Sequence, residues 1–435
     1  VDENGDVLLR HRGICADVPG PLYVRHQALQ SPAWVRDAVI YQLSVRSFGG
    51  SFDGVRARLG YLADLGIDVV WMMPIHPTGV AGRRGTLGDP YAVRDFDAID
   101  PALGDADALH ALVDAIHARG MRIVFDWTLN RSSVDHPLTL SHPDWYTRGA
   151  DGKPFYAVPE RGYFAGFDFS KRALRSYLLE AMRRWVAEYG FDGLRLDDSD
   201  ITPTDFLAEI RAALVAVKPD IAIISQSYDE FHHLDSCDLT YEGGTREMLR
   251  RVATGQADAQ AFARYWLEST YSFPRGALRL RWLEDKEQPR ASADFNAGAH
   301  RAAAALILAM DGVPHILMGQ EFDEPTWHDW TVLFDDYRLD WNAFDETTFA
   351  HYRALLALRR KHVALRIGST EFIDALPDGV IGMRRSTADE CIHVFANLSG
   401  QPALLPPMAL RALYSQGWDQ ADSRLAGHGC LFAAS

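Results

Sequence analysis

The segment Phe191–Asp198 reads FDGLRLDD and holds residues suited to chemistry. Alternate side chains of a strand face one side, so Arg195 and Asp197 point together at the end of a short apolar run. A neighbouring cation keeps a carboxylate ionised, and an ionised, oriented carboxylate is what attack on a glycosidic carbon requires. A purely structural Arg–Asp pair carries the same sequence, and this motif alone does not separate the two. Three more polar residues stand at or beyond the ends of apolar runs: Asp126 after Arg122–Phe125, Gln226 after Ala222–Ile224, and Glu287 beyond Leu278–Trp282. Any one of them is as readily a cap or a turn residue. Four at the same end of one sheet make a candidate site.

The elements that must position them alternate along the chain. Val39–Leu43 and Val69–Met73 read as strands, and Phe52–Leu65 between them has Val55, Leu59, Leu62 and Leu65 at helical spacing, closed by Gly66. The rhythm repeats with a helix over Ala108–Ala118, the strand Arg122–Phe125, a helix over Leu174–Tyr189 ended by Gly190, and the strand Gly193–Leu196. Ala222–Ile224, Leu239–Tyr241, Leu278–Trp282 and His315–Met318 complete eight strands separated by helices, the pattern of a parallel α/β fold. If the sheet closes into a barrel, its chemistry belongs at the C-terminal strand ends. Residues 127–170 break the rhythm: they are rich in Asp, Pro, Gly and Tyr, read as free of helix, and form an excursion after the third strand. From about Leu365 short strands (Phe372–Ile373, Val380–Met383, Ile392–Phe395, Ala403–Leu405) alternate with turns, which predicts a small antiparallel β domain. The expected organisation is an N-terminal segment over 1–35, a barrel over 36–365 with the excursion 127–170, and a β-sandwich-like domain over 366–435.

The composition is that of a globular chain: 435 residues, 47% hydrophobic and 24% charged. Asp and Glu number 59 against 44 Lys and Arg, a net charge of −15, which argues against nucleic acid and anionic membrane surfaces as partners. No apolar run is long enough to span a bilayer. No Lys/Arg-led leader is visible, and because the sequence begins at Val1 this fixes no compartment; periplasmic, secreted and cytoplasmic locations stay open. The cysteines Cys15, Cys237, Cys391 and Cys430 form no CxxC pair, which excludes zinc-ribbon and thioredoxin-type readings. Cys391 and Cys430 are close enough in the chain to pair; four free thiols is the plainer expectation.

Gly85–Phe96 (GTLGDPYAVRDF), Phe125–Ser133 (FDWTLNRSS), Gly190–Asp198, Leu283–Arg290 (LEDKEQPR) and Pro314–Phe322 (PHILMGQEF), in that order, resemble the motif set of the alpha-amylase family. The resemblance runs from about Val35 to about Lys361. It implies a (β/α)₈ barrel with a short excursion after the third strand, a C-terminal antiparallel β domain, and retaining hydrolysis or transfer on α-glucosides or related oligosaccharides. Residue by residue it implies Asp197 as nucleophile and Arg195 as the arginine that orients it. It makes Asp126 a carboxylate that shapes the site, Asn130 part of the same motif, and Tyr91 the aromatic under the sugar, whose ring face suits the apolar face of a pyranose. Arg94 and Asp95 travel with the Tyr91 motif. The implied partner is a carbohydrate; the oligomeric state stays open.

The departures bear on function. Gln226, in IISQSYDE, stands where the family has its general acid/base glutamate, and glutamine has no acidic proton for a leaving oxygen; general acid–base catalysis is worth about 10²–10⁴-fold. Either the change is an introduced one that keeps shape and traps a complex, or it is native and marks a glycan-binding protein on an amylase-like barrel. Asp229 and Glu230 are too far along to replace the acid. Glu287 stands for the family's third carboxylate on an arm one methylene longer. Arg131 and Lys286 stand where the family has sugar-binding histidines; they pair with Asp198, Asp285 or Glu287, or else they reshape the subsite for an unusual sugar, such as one carrying an anionic group. No cofactor is expected. Calcium, which the family often holds with an asparagine at the place of Asn130, lacks clear carboxylate ligands here. His232 and His233 near Asp229 lack a defined metal-ligand spacing. Trp127, Trp145, Tyr146, Tyr156, Tyr163 and Phe164 either line sugar subsites or form the core of the excursion.

Overall fold

A computed structural model describes residues 26–156 and 159–435. The expected segment 1–35 and Cys15 therefore lie largely outside the described residues. Eight parallel strands close into a barrel: β1 (Ile40–Leu43), β2 (Val69–Met72), β3 (Arg122–Thr128), β6 (Gly193–Asp197), β7 (Ala222–Ser225), β8 (Leu239–Glu242), β9 (Leu278–Arg281) and β10 (Val313–Leu317). Strand parity divides the apolar residues into two layers. Val69 and Trp71 of β2, Val124 of β3, Ile224 of β7 and Tyr241 of β8 fill the interior. Val70, Met72, Ile123, Phe125, Leu194 and Leu196 face outward to the helices. The same parity sends Asp126, Arg195 and Asp197 inward, with Asp126 opposite Arg195 and Thr128 opposite Asp197 in the β3–β6 register.

Helices follow the expected spacing and stop signals. Asp105 caps Ala106–His117 through Ala108 N–H, and Gly190, left-handed at φ 71°, ends Arg172–Tyr189. The helix expected over 52–65 is two, Phe52–Ala57 and Leu59–Leu65, broken at Arg58 (φ −100°, ψ 4°); Gly54 and Gly60 weaken a continuous helix there. The excursion, expected to lack helix, has a one-turn helix at Leu138–Ser141. It is held by an antiparallel pair, β4 (Arg131–Ser133) and β5 (Phe164–Gly166), that sets Arg131 opposite Gly166.

The C-terminal strands are β11 (Ser369–Phe372), β12 (Val380–Ser386), β13 (Cys391–Asn397), β14 (Ala403–Leu404), β15 (Arg411–Asp419) and β16 (Arg424–Ala434). They pair into one antiparallel sheet. Ile381, Met383, Val394 and Phe432 on one face join the apolar core of the barrel, where the helix Ala297–Ala309 runs along β13 and β16, and Val380, Phe395, Leu425 and Leu431 on the other face form a second apolar cluster. The alternation that reveals β11 to β14 fails in β15 and β16, where Gly417, Gly427 and Gly429 interrupt it and β15 carries two register irregularities. Cys391 lies opposite Ser386 and Cys430 opposite Ala396, so they sit at different register positions, and both are free thiols.

Candidate functional site

The site grows from the β3–β6 edge. Asp126 is fully buried; its Oδ1 accepts from Arg195 Nη1 at 2.8 Å, and its Oδ2 accepts from Tyr91 Oη at 2.9 Å and Trp71 Nε1 at 3.1 Å. Arg195 also donates through Nη1 to Asp197 Oδ1 and through Nε to Tyr241 Oη at 3.2 Å, inside a cage of Trp71, Tyr91 and Tyr241 rings. Trp71 and Tyr241 were not among the residues singled out from sequence. Their inward strand parity is the signal that points to them.

The second oxygen of Asp197 is also taken. Arg131, delivered by β4, donates through Nη2 to Asp197 Oδ2 and through Nη1 to Asp198 Oδ2 at 2.5 Å and Asn130 Oδ1 at 2.8 Å. Its guanidinium lies 4.4 Å from the Phe164 ring centre and 5.4 Å from that of Tyr156, whose hydroxyl bonds Asp198 Oδ2 at 3.0 Å. On an extended strand Asp198 would face away from Asp197. It is left-handed instead, at φ 47°, which turns its carboxylate back toward the same arginine. Burial would raise the Asp197 carboxyl, but the charges of Arg131, Arg195 and Lys286 hold it well below the usual carboxylate range. It is ionised, 1% exposed, and bonded to a guanidinium at each oxygen.

Gln226 follows β7. Its Oε1 accepts from Asp198 N–H at 3.0 Å, and its Nε2 donates to Glu287 Oε1 at 3.2 Å. Glu287 also accepts from Lys286 Nζ at 2.9 Å, and the ammonium sits 4.8 Å from the Tyr91 ring centre. Lys286 keeps the Glu287 carboxyl below its ordinary value, whereas burial raises that of Asp285. One hydrogen-bonded network thus joins Tyr91, Asp126, Arg131, Arg195, Asp197, Gln226, Lys286 and Glu287. Both substituted cations are paired: Lys286 with Glu287, and Arg131 with Asp198 and also with Asp197, a partner not anticipated from sequence.

Other residues fall outside the network. Arg94 pairs with Asp135 at 3.5 Å, and Asp95 caps a turn through Asp97 N–H. His232 bonds Ser225 and His233 bonds Thr240 within the fold. The excursion aromatics divide: Trp127, Trp145 and Tyr146 join the main core, while Tyr156, Tyr163 and Phe164 cluster with Tyr91 beside the site. Asn130 Oδ1 accepts from a guanidinium and its amide donates to Asp198 O at 3.0 Å, so its oxygen is not disposed toward calcium. Among the described residues no group of three or more His, Cys, Asp or Glu side chains is arranged to hold a metal.

The chain is thus a closed (β/α)₈ barrel with a carboxylate–arginine network at its C-terminal strand ends. A family profile described as "Alpha amylase, catalytic domain" matches residues 34–163. The chain is 27% identical over 394 residues to the alpha-amylase MalA of Haloarcula japonica, covering 86% of this chain and 57% of that protein. It is 29% identical over 227 residues to an alpha-1,4-glucan:maltose-1-phosphate maltosyltransferase of Cereibacter sphaeroides, over 48% of this chain and 34% of the other. The crystal structure of a maltogenic alpha-amylase, AmyB from Thermotoga neapolitana, superposes with a TM-score of 0.82 at 28% identity, covering 92% of this chain and 99% of that one. The chain is similar, over its first barrel strands in the family profile and over most of its length in MalA and AmyB, to proteins of the alpha-amylase family. It spans just over half the length of MalA.

Proposed function

We propose that the protein recognises α-linked gluco-oligosaccharides at the barrel mouth and that, with the sequence it has, the two-step displacement of its family is stalled there. The observation that carries this reading is the state of Asp197: each carboxylate oxygen is bonded to a guanidinium, Arg195 on one side and Arg131 on the other. A retaining mechanism needs one lone pair of the nucleophile free to attack and a neutral acid to protonate the leaving oxygen. Gln226 supplies no such proton. Glu287 is one hydrogen bond away, but Lys286 holds it ionised, so it is a poor acid near neutral pH. Loss of turnover follows from both defects.

A second reading is an α-glycosidase or transglycosidase that lacks only its acid. The intact Arg195–Asp197 pair favours it. The two separate on a matched set of variants assayed on maltooligosaccharides. We expect Gln226→Glu alone to leave turnover near background, and Gln226→Glu with Arg131→His to raise it by at least about 10²-fold, the low end for general acid catalysis. A gain of that size from Gln226→Glu alone would establish the second reading. No saturable binding of any maltooligosaccharide to the unmodified protein would defeat the first.

A further inference from the structure

The network at the barrel mouth is covered by its own side chains. Tyr91, Asp126, Arg131, Arg195, Asp197 and Lys286 are buried, and of the network only Gln226 and Glu287 reach solvent. Tyr91 is 1% exposed, so neither face of its ring is open. Its hydroxyl donates to Asp126, the Arg195 guanidinium lies 5.8 Å from its ring centre, and the Lys286 ammonium lies 4.8 Å from it. A sugar ring stacked on a tyrosine brings its carbons to about 3.5–4.0 Å from the aromatic atoms. An ammonium 4.8 Å from the ring centre therefore stands in the space such a sugar would fill.

Of the two cations, Lys286 is the movable one. Arg195 is fixed by Asp126, Asp197 and Tyr241 together. Among the described residues the Lys286 ammonium bonds Glu287 alone, at 2.9 Å, and the Glu287 side chain is 43% exposed. The same Glu287 oxygen accepts from Gln226 Nε2 at 3.2 Å. The turn that carries Lys286 is held: Asp285 Oδ1 accepts from Glu287 N–H at 2.8 Å, and Asp285 O accepts from Gln288 N–H at 3.0 Å. The backbone is thus set, while the four-carbon stem of the lysine is flexible and is tied down at the solvent edge. Glu287, Asp197 and Asp285 keep the ammonium charged against its burial.

We propose that Lys286 is a plug: its ammonium takes the face of Tyr91 that a glucose ring would take, so the mouth offers no inner sugar subsite while Lys286 is in place, and gluco-oligosaccharides are held by groups outside it. The inference rests on the carbohydrate reading of the mouth. It is separate from the action of Arg131, which takes an oxygen of Asp197 rather than the place of a sugar. A lysine that donated to sugar hydroxyls would be the contrary case, and the two roles differ in sign. Removing a donor weakens binding, and removing a plug strengthens it.

The test is calorimetric titration of the whole protein and its variants with maltose and with maltoheptaose. Lys286→Ala should bind maltose at least about tenfold more tightly than the unmodified protein, the size of one aromatic contact regained. Lys286→Arg, which keeps a long cation over Tyr91, should show no such gain. Unchanged or weaker maltose binding by a folded Lys286→Ala overturns the proposal, and so does an equal gain in Lys286→Arg. Should Lys286→Ala not fold, Glu287→Ala decides, because it cuts the tether at an exposed side chain. It should tighten maltose binding at least about threefold, the scale of an exposed ion pair, and no gain overturns the plug. Failure of the plug and failure of the carbohydrate reading look different. Maltoheptaose bound by the unmodified protein, with no gain in Lys286→Ala, keeps the reading and removes the plug. No binding by the unmodified protein, with saturable binding by Lys286→Ala, does the reverse.

Discussion

Arg131 bonds two consecutive carboxylates in a dry site, and its removal has a measurable sign. Truncating one partner of a buried ion pair costs about 3–5 kcal/mol, because the other charge stays buried. Arg131→Leu should therefore unfold at lower denaturant, with about 3 kcal/mol lost near pH 7. Asp197 is held below its unfolded value, so its contribution is full above about pH 4 and is lost as the pH falls toward the lower native value. The gap between Arg131→Leu and the parent should narrow below pH 4; a gap that stays constant would mean Arg131 does not set the ionisation of Asp197. Glu321 runs in the opposite sense. Burial raises its carboxyl to about 7, against donation from Tyr61 and Tyr41 hydroxyls, and its Oε2 has no partner. A group raised on folding carries no penalty below its ordinary value of 4.5 and the full penalty above 7. Stability of the parent should fall across that window by up to about 3 kcal/mol relative to Glu321→Gln, and parallel pH profiles would refute this.

Two glycines on one connection show how differently elements tolerate a methyl group. Gly190 ends its helix at φ 71° with nothing within 4 Å of an added Cβ, so Gly190→Ala pays only the left-handed backbone, about 1 kcal/mol. Gly193 has an ordinary φ, but a Cβ there would meet Ala222 O at 2.7 Å and Val124 Cγ2 at 3.0 Å inside the barrel. Gly193→Ala should cost up to about 3 kcal/mol and shift β6, which carries Arg195 and Asp197. Equal melting temperatures for the two variants would contradict this ordering. The barrel strands are legible from sequence because each combines apolar residues with glycine or polar punctuation. The clamp is not. Residue types foretell that Arg131 and Lys286 are paired, but that Arg131 reaches Asp197 depends on the left-handed turn at Asp198 and on the β4–β5 pairing, neither of which has a local signature. The same holds for β15 and β16, where glycines and bulges erase the alternation that betrays their neighbours.

The C-terminal sheet is part of the core of the whole molecule rather than an appendage. The helix Ala297–Ala309 is buried from Ala302 to Ala309, and β13 and β16 supply apolar neighbours on its outer side. At roughly 25 cal/mol per Å² of apolar surface, exposing that face removes more than the few kcal/mol that separate a domain from its unfolded chain. A chain ended after residue 365 should be recovered as aggregate rather than as a monomeric barrel on size exclusion; a soluble, cooperatively melting product would show the sheet to be dispensable. This dependence explains what a reading of motifs could and could not deliver. The order of short signatures along the chain identifies the barrel, while the closure of its core is spread over residues that carry no motif.

Arg131 belongs to the excursion, stacked near Phe164 and Tyr156, yet it is one of the two guanidiniums bonded to Asp197. The ionic state of the barrel mouth and the folding of the β4–β5 pair are therefore coupled through this contact. Opening the β4–β5 pair would take away one of the guanidiniums that hold Asp197, so the charge state of the mouth depends on an element that contributes no strand to the barrel.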